Sequence, residues 1–186
     1  MRISKTDLQL IDRARQGDPD SFKEIVRRYE QRVAATVISM LGHCPEADDV
    51  GQETFIRFYK ALRDFRGDSS VATYITRIAI NLSLNELKRR KRRMLFFPQS
   101  TDSVKNIVDE TEPEDVALKK IVNNAIQQLE PMFRTVLVLR LVDGYSTKET
   151  ADILNIPEGT VLSRLARAQK KLKTILSPYV GEKING

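Results

Sequence analysis

The sequence predicts an all-α protein: two small helical domains joined by an acidic flexible linker. Three observations carry that prediction. Apolar residues recur at three- and four-residue steps, and no sustained strand-like alternation interrupts them. Composition shifts over 97–115, where Pro98, Pro113 and several hydroxyl residues accompany Asp102, Asp109, Glu110, Glu112, Glu114 and Asp115, with Lys105 as the only base. Finally, 144–165 reads as a helix, a tight turn and a second helix.

The elements follow in order. A first helix is expected over Asp7–Gln16 with Leu8, Ile11 and Ala14 inward, closed by the Gly17-Asp18-Pro19-Asp20 turn. A second, from Ser21 to Leu41, uses Phe22, Ile25, Val26, Tyr29, Val33 and Val37, and Gly42 ends it. A third, Pro45–Phe65, turns Ala47, Val50, Thr54, Phe58 and Leu62 to the core. A fourth, Val71–Arg93, buries Val71, Ile75, Ile78, Ala79 and Leu82. Beyond the linker, one helix carries Val116, Leu118, Ile121, Ala125 and Ile126. The next starts at Glu130-Pro131 and carries Phe133, Val136, Leu137 and Leu141. The domains are therefore 1–96 and 114–186, with the linker at 97–113. Extended, the linker region spans roughly 60 Å, more than one DNA turn of about 34–36 Å. It also permits the free domains to pack together, without showing that they do.

In the helix pair, Ser146 and Glu149 have capping-box spacing, and Asn155-Ile156-Pro157 breaks and restarts the chain. Ala151, Leu154, Ile156, Val161, Leu165, Ala168 and Leu172 form one apolar seam. Thr160, Ser163, Arg167, Lys170 and Lys171 are left on the other side of the second helix, where hydroxyls and cations suit base edges and phosphates.

Charge points the same way. The 186-residue chain carries a net charge of +6 and a pI near 9.5, which favours a polyanionic partner. Lys88-Arg89-Arg90-Lys91-Arg92-Arg93 repels itself unless phosphates lie opposite. Arg77, Asn81 and Lys88 share a stripe flanked by Tyr74, and the polar loop Arg66–Ser70 beside it suits an unstacked base. On the third helix Asp49, Gln52, Glu53 and Ile56 project away from the core, with Phe55 and Tyr59 at the border. This acidic patch suits a basic helical partner as well as it suits solvent.

Other classes find no support. The single Cys44 forbids an internal disulfide and fits a reducing compartment. His43 and Cys44 alone do not make a zinc site or a nucleophilic pair, and no phosphate loop or dinucleotide fingerprint occurs. No metal, cofactor or small-molecule substrate is expected. Neither a secretion signal nor a membrane span is present in the sequence, so a cytoplasmic protein is expected.

At this point the motifs resemble a known family. Ala47-Asp48-Asp49-Val50-Gly51-Gln52-Glu53-Thr54-Phe55 looks like the signature of region 2 of bacterial sigma factors. Ala72–Asn81, running into the basic block, resembles the promoter-melting, −10-reading part of that region. Ile156–Leu165 resembles the region 4 recognition helix. Two domains without a third between them match the extracytoplasmic-function (ECF) group. The resemblance implies binding to core RNA polymerase and promoter-directed initiation, with no catalysis by this chain. It implies core docking through Asp49, Gln52, Glu53 and Phe55. It places Arg66, Asp68, Ser69, Tyr74, Arg77, Asn81 and Lys88 on the opening −10 element, and Thr160, Ser163, Arg164, Arg167 and Lys171 on −35 duplex. The linker would thread toward the polymerase active-site and RNA-exit channel. An anti-sigma factor is an expected further partner. The chain departs from the pattern at Val71, often aromatic in the family, at Tyr59 and Tyr74, often tryptophan, and at Leu162, often basic. The alternatives are an autonomous helix-turn-helix regulator and a nucleic-acid enzyme. The N-terminal patch and basic stripe count against the first, and the scattered acids Asp48, Asp49 and Glu53 against the second.

Overall fold

The computed structural model describes residues 6–96 and 114–181, so the expected linker at 97–113 lies outside the described residues. The elements are α1 (Asp7–Arg15), α2 (Pro19–Leu41), α3 (Pro45–Ala61) with a 3₁₀ turn (Leu62–Asp64), and α4 (Val71–Phe96). They continue with α5 (Glu114–Gln127), α6 (Pro131–Leu137) running into a π-helical segment (Val138–Val142), α7 (Thr147–Leu154) and α8 (Glu158–Gly181).

Local chemistry sets the boundaries. Thr6 and Gln9 form a reciprocal capping box at α1. Asp18 caps α2 with Pro19 in the first turn, and Gly42, at φ 81°, ends it in a backbone region that side chains avoid. Ser146 and Glu149 form the expected capping box of α7. The bond from Ser146 holds the Glu149 carboxyl below its ordinary pKa. Asn155, at φ 52°, closes α7 in the left-handed conformation that asparagine tolerates.

Helices α2, α3 and α4 pack around Ile25, Val37, Met40, Phe58, Ile75 and Ile80, all essentially inaccessible. Phe58 is the aromatic centre, within 6.0–6.4 Å of the rings of Phe22, Phe65 and Tyr74. The core face expected of α3 is fully buried.

One inward assignment is corrected, and three further apolar residues prove exposed. Leu8 is 59% exposed beside the Gly67 turn, and Leu10 takes the inward position with Ile11 and Ala14. Val116 and Leu118 are exposed, whereas Ala125 and Ile126, in the last turns of α5, are buried. Leu141 is 55% exposed, because the π turn inserts extra residues and rotates the chain; Val138 and Leu139 face inward instead.

The second unit folds against the first. Ile126, Leu129, Phe133, Leu137 and Ile153 belong to the same apolar cluster as the α1–α4 core. Arg134 ties the joint. Its guanidinium donates to Met40 O of α2 at 2.5 Å, to Leu129 O at 3.0 Å and to Gln127 O. Burial lowers its pKa to about 10, so it remains a cation at neutral pH. Gln127 adds a bond from Nε2 to Ser39 O at 2.7 Å.

Candidate nucleic-acid and partner interfaces

The α3 surface has the two-sided character expected of it. Asp49, Gln52 and Ile56 are exposed, and Glu53, half-buried, pairs with Arg57 at 2.8 Å. Beside them lies an apolar groove of about 400 Å³ lined by Phe22, Phe55, Ile56 and Tyr59, with Pro19 and Lys60 at its rim. Phe22 and Tyr59 meet edge-on at 4.8 Å, which fixes the wall. Sequence spacing did not reveal this groove, because Phe22 comes from α2. An apolar cleft whose α3 wall includes Ile56, on the same helix face as Asp49, Gln52 and Glu53, can seat the apolar side of an amphipathic partner helix.

On α4 the expected −10 residues divide. Asn81 and Lys88 are exposed, and Arg66 and Asp68 stand exposed on the loop before the helix, with Ser69 half-buried. That loop turns at Gly67, φ 81°, and ends where Ser70 Oγ accepts the Thr73 amide at 3.0 Å. Tyr74 is half-buried, its ring edge-on to Phe65 at 5.2 Å, so it is pinned to the core. Arg77 is half-buried and donates to Asp152 O at the end of α7, at 2.9 Å.

The basic block at the end of α4 is only partly free. Arg89 and Arg90 pair with Glu86, at 2.6 and 3.3 Å. Arg90 also donates to Leu41 O at 2.9 Å, and Arg90 and Arg93 both reach Glu46 at 3.4 Å. Three of the six expected phosphate-facing cations are therefore engaged internally. Lys88, Lys91 and Arg92 have no ion-pair partner among the described residues. The adjacent Cys44 thiol lies 2.8 Å from an Arg90 nitrogen, and no metal-binding cluster occurs among the described residues.

The helix-turn-helix holds together as its seam dictates. Val136, Ala151 and Val161 form a small buried cluster, with Leu154, Ile156 and Leu165 packed on it. Ala168 and Leu172 continue the seam into the larger core. This leaves Leu162, Ser163 and Arg167 exposed on α8, with Thr160 and Arg164 half-buried at its start. Leu162, singled out in the sequence as a departure at a recognition-helix position but not counted among the contacts, is 55% exposed. On an exposed recognition face it suits a thymine methyl. Lys171 departs from the expected face. It pairs with Glu130 at 2.7 Å, which lowers the Glu130 pKa, and sits 4.9 Å over the Phe133 ring.

A helix-turn-helix with an open face on α8, combined in one chain with an apolar groove on α3, has the parts of a DNA-binding protein that also docks a partner. The comparisons identify the family. The sigma-70 region 2 family model matches residues 25–93, and that of sigma-70 region 4 matches 119–172. RNA polymerase sigma-H factor of Pseudomonas aeruginosa is 34% identical, over 98% of this chain and all of its own length. ECF RNA polymerase sigma-E factor of Escherichia coli K12 is 35% identical over 94% of this chain and 96% of its own. ECF RNA polymerase sigma factor SigW of Bacillus subtilis is 33% identical over 88% and 92%. Among solved structures, CnrH in complex with the cytosolic domain of CnrY aligns with a TM-score of 0.69 and 25% identity, covering 92% of this chain and 97% of CnrH. The sigma factor RpoE bound to the anti-sigma factor NepR from Bartonella quintana shares the fold, with a TM-score of 0.70 and 22% identity over 84% of this chain and 96% of RpoE. The chain belongs to the ECF RNA polymerase sigma factors of the sigma-70 family. It is a transcription initiation factor.

Proposed function

We propose that α3 is the core-polymerase docking surface, with Asp49, Gln52, Glu53 and Phe55 as its contacts and Phe22, Ile56 and Tyr59 completing the groove. The first domain, 1–96, engages the −10 element through Arg66, Asp68, Ser69, Tyr74, Arg77, Asn81 and Lys88. The second domain, 114–186, reads −35 duplex through Thr160, Leu162, Ser163, Arg164 and Arg167, with Lys171 flanking. The stretch 97–113 connects the two. The single observation that carries this reading is the pairing, in one chain, of the apolar groove beside the acidic face of α3 with the open face of α8.

The chain itself performs no catalysis; it supplies position and base recognition to the polymerase. It acts in the cytoplasm, and no helix of the described residues is long and apolar enough to cross a membrane. An anti-sigma factor is its natural regulator, as the complexes of RpoE with NepR and of CnrH with CnrY suggest. The test is a pull-down of purified core polymerase by the wild-type chain and by the Asp49→Lys/Glu53→Lys variant, alongside −35 duplex binding. Loss of core with duplex binding retained supports the assignment. Equal capture of core by both chains overturns it.

A further inference from the structure

The joint between the two units holds a buried carboxyl, Asp143, whose two oxygens share one hydrogen-bond partner. Thr36 of α2, fully buried, has its Oγ1 2.9 Å from Arg32 O and 2.8 Å from Asp143 Oδ1. Both neighbours are acceptors when Asp143 is ionised, and a hydroxyl has one proton to give. If Asp143 carries a proton, Oδ1–H donates to Thr36 Oγ1 and Thr36 donates to Arg32 O; if it is ionised, Thr36 turns its proton to Oδ1 and Arg32 O keeps only its helical N–H bond. The second carboxyl oxygen, Oδ2, is buried without a hydrogen-bond partner, a costly state for an anion and a milder one for a neutral acid. Asp143 as a whole is 8% exposed.

The same corner of the second unit holds the joint through its backbone and through Tyr145. Arg32 Nη2 donates to Asp143 O at 2.6 Å, and the Arg32 guanidinium carbon lies 5.1 Å from the Tyr145 ring centre. The Tyr145 hydroxyl donates to Thr76 Oγ1 of α4 at 3.0 Å. The next residue of α4, Arg77, donates to Asp152 O, a carbonyl in the last turn of α7 with the partial negative charge of that helix end. Arg77 and Asn81 line a polar cleft of about 810 Å³ with Asp152, Asn155 and Pro157. In this arrangement α7 occupies the guanidinium that the −10 reading assigns to DNA.

We propose that Asp143 is a proton-coupled latch: protonated, it holds the two units closed with Arg77 masked by α7, and on ionisation it releases them. The masking half rests on the −10 assignment of Arg77; the latch does not. The groups facing Asp143 are few. From α2 they are Arg32 and the uncharged Thr36, from α4 the uncharged Thr76, and from its own unit Tyr145, with Arg140 and Glu149 further out. His43, the one histidine, is exposed between α2 and α3, outside this joint. Burial raises the Asp143 carboxyl to about 6 in the closed form, against an ordinary 3.8 once opening returns it to water. A group whose pKa is raised by closure favours closure fully below its open value, and that advantage is lost as pH rises through its closed value. The closed-to-open ratio should therefore fall about tenfold between pH 5 and pH 8.

The experiment measures the distance between labels on Lys60→Cys and Lys173→Cys in the full chain, with Cys44→Ser, from pH 5 to pH 8. The expected result is a short-distance population at pH 5 that gives way to longer distances by pH 8. Asp143→Asn, whose amide can donate to Thr36 as the protonated acid does, should stay closed across the range. Thr36→Val should open the chain at pH 5. A wild-type distribution that does not change with pH overturns the latch, as does an Asp143→Asn chain that responds to pH like the wild type. Binding of a single-stranded ten-nucleotide probe, read on the same samples, should weaken as the chain closes. Closure that responds to pH while probe binding does not would sustain the latch and refute the −10 role of Arg77.

Discussion

Val161 links the recognition helix to the fold, and replacing it separates packing from contact. Its side chain is completely buried in the small cluster with Val136 and Ala151. Val161→Ala removes two methyl groups, about 1.6 kcal/mol of transfer free energy at roughly 0.8 kcal/mol per group. A residual cavity brings the total to about 2–3 kcal/mol, since α7 and α8 close only partly around the loss. At a urea dependence of about 2 kcal/mol per molar, the unfolding midpoint should drop by about 1–1.5 M. The assay is urea unfolding by circular dichroism, paired with −35 duplex binding, and the control is Leu162→Ala. Leu162 is exposed, so its loss should move the midpoint by less than about 0.5 kcal/mol equivalent while weakening duplex binding. An unchanged midpoint for Val161→Ala, or equal midpoint shifts for the two variants, would refute the division of α8 into a packed and a reading face.

Arg167→Ala should weaken −35 duplex binding by about 1–3 kcal/mol and relax sequence preference at one position, measured by fluorescence anisotropy on a panel of duplexes; unchanged preference would remove it from the base-reading set. Ile56→Asp, which puts a charge into the apolar groove of α3, should lower core-polymerase affinity at least tenfold with little change in melting temperature. Arg134→Met should destabilise the chain by about 2–4 kcal/mol, because Met40 O, Gln127 O and Leu129 O lose their donor together. Calorimetry checks that value, and a loss under 1 kcal/mol would mean the joint holds by apolar contact alone.

Much of this molecule was legible in the sequence where one segment supplies its own partners. The Ser146–Glu149 box, the Pro157 restart, the α3 core stripe and the seam from Ala151 to Leu172 are local patterns, and each is realised. The features that escaped depend on two segments meeting. The groove on α3 needs Phe22 from α2, and Arg90 serves Leu41 and Glu46 across α2 and α3 where a run of cations suggested phosphate contacts. Lys171 turns toward Glu130 and Phe133 because α8 packs along α6. The exposure of Leu141 follows from a π turn, a one-turn change of period that no 3.6-residue template detects. Leu8 was misplaced because an amphipathic stripe says which side is apolar, not how far along the helix its neighbours extend.

The most direct measurement is to mix this chain with purified bacterial core RNA polymerase and genomic DNA and sequence the 5′ ends of the transcripts. The account predicts starts that depend on the added chain and lie downstream of a shared two-part motif, and that disappear with Asp49→Lys/Glu53→Lys. Transcript starts that are the same with and without the chain would contradict it.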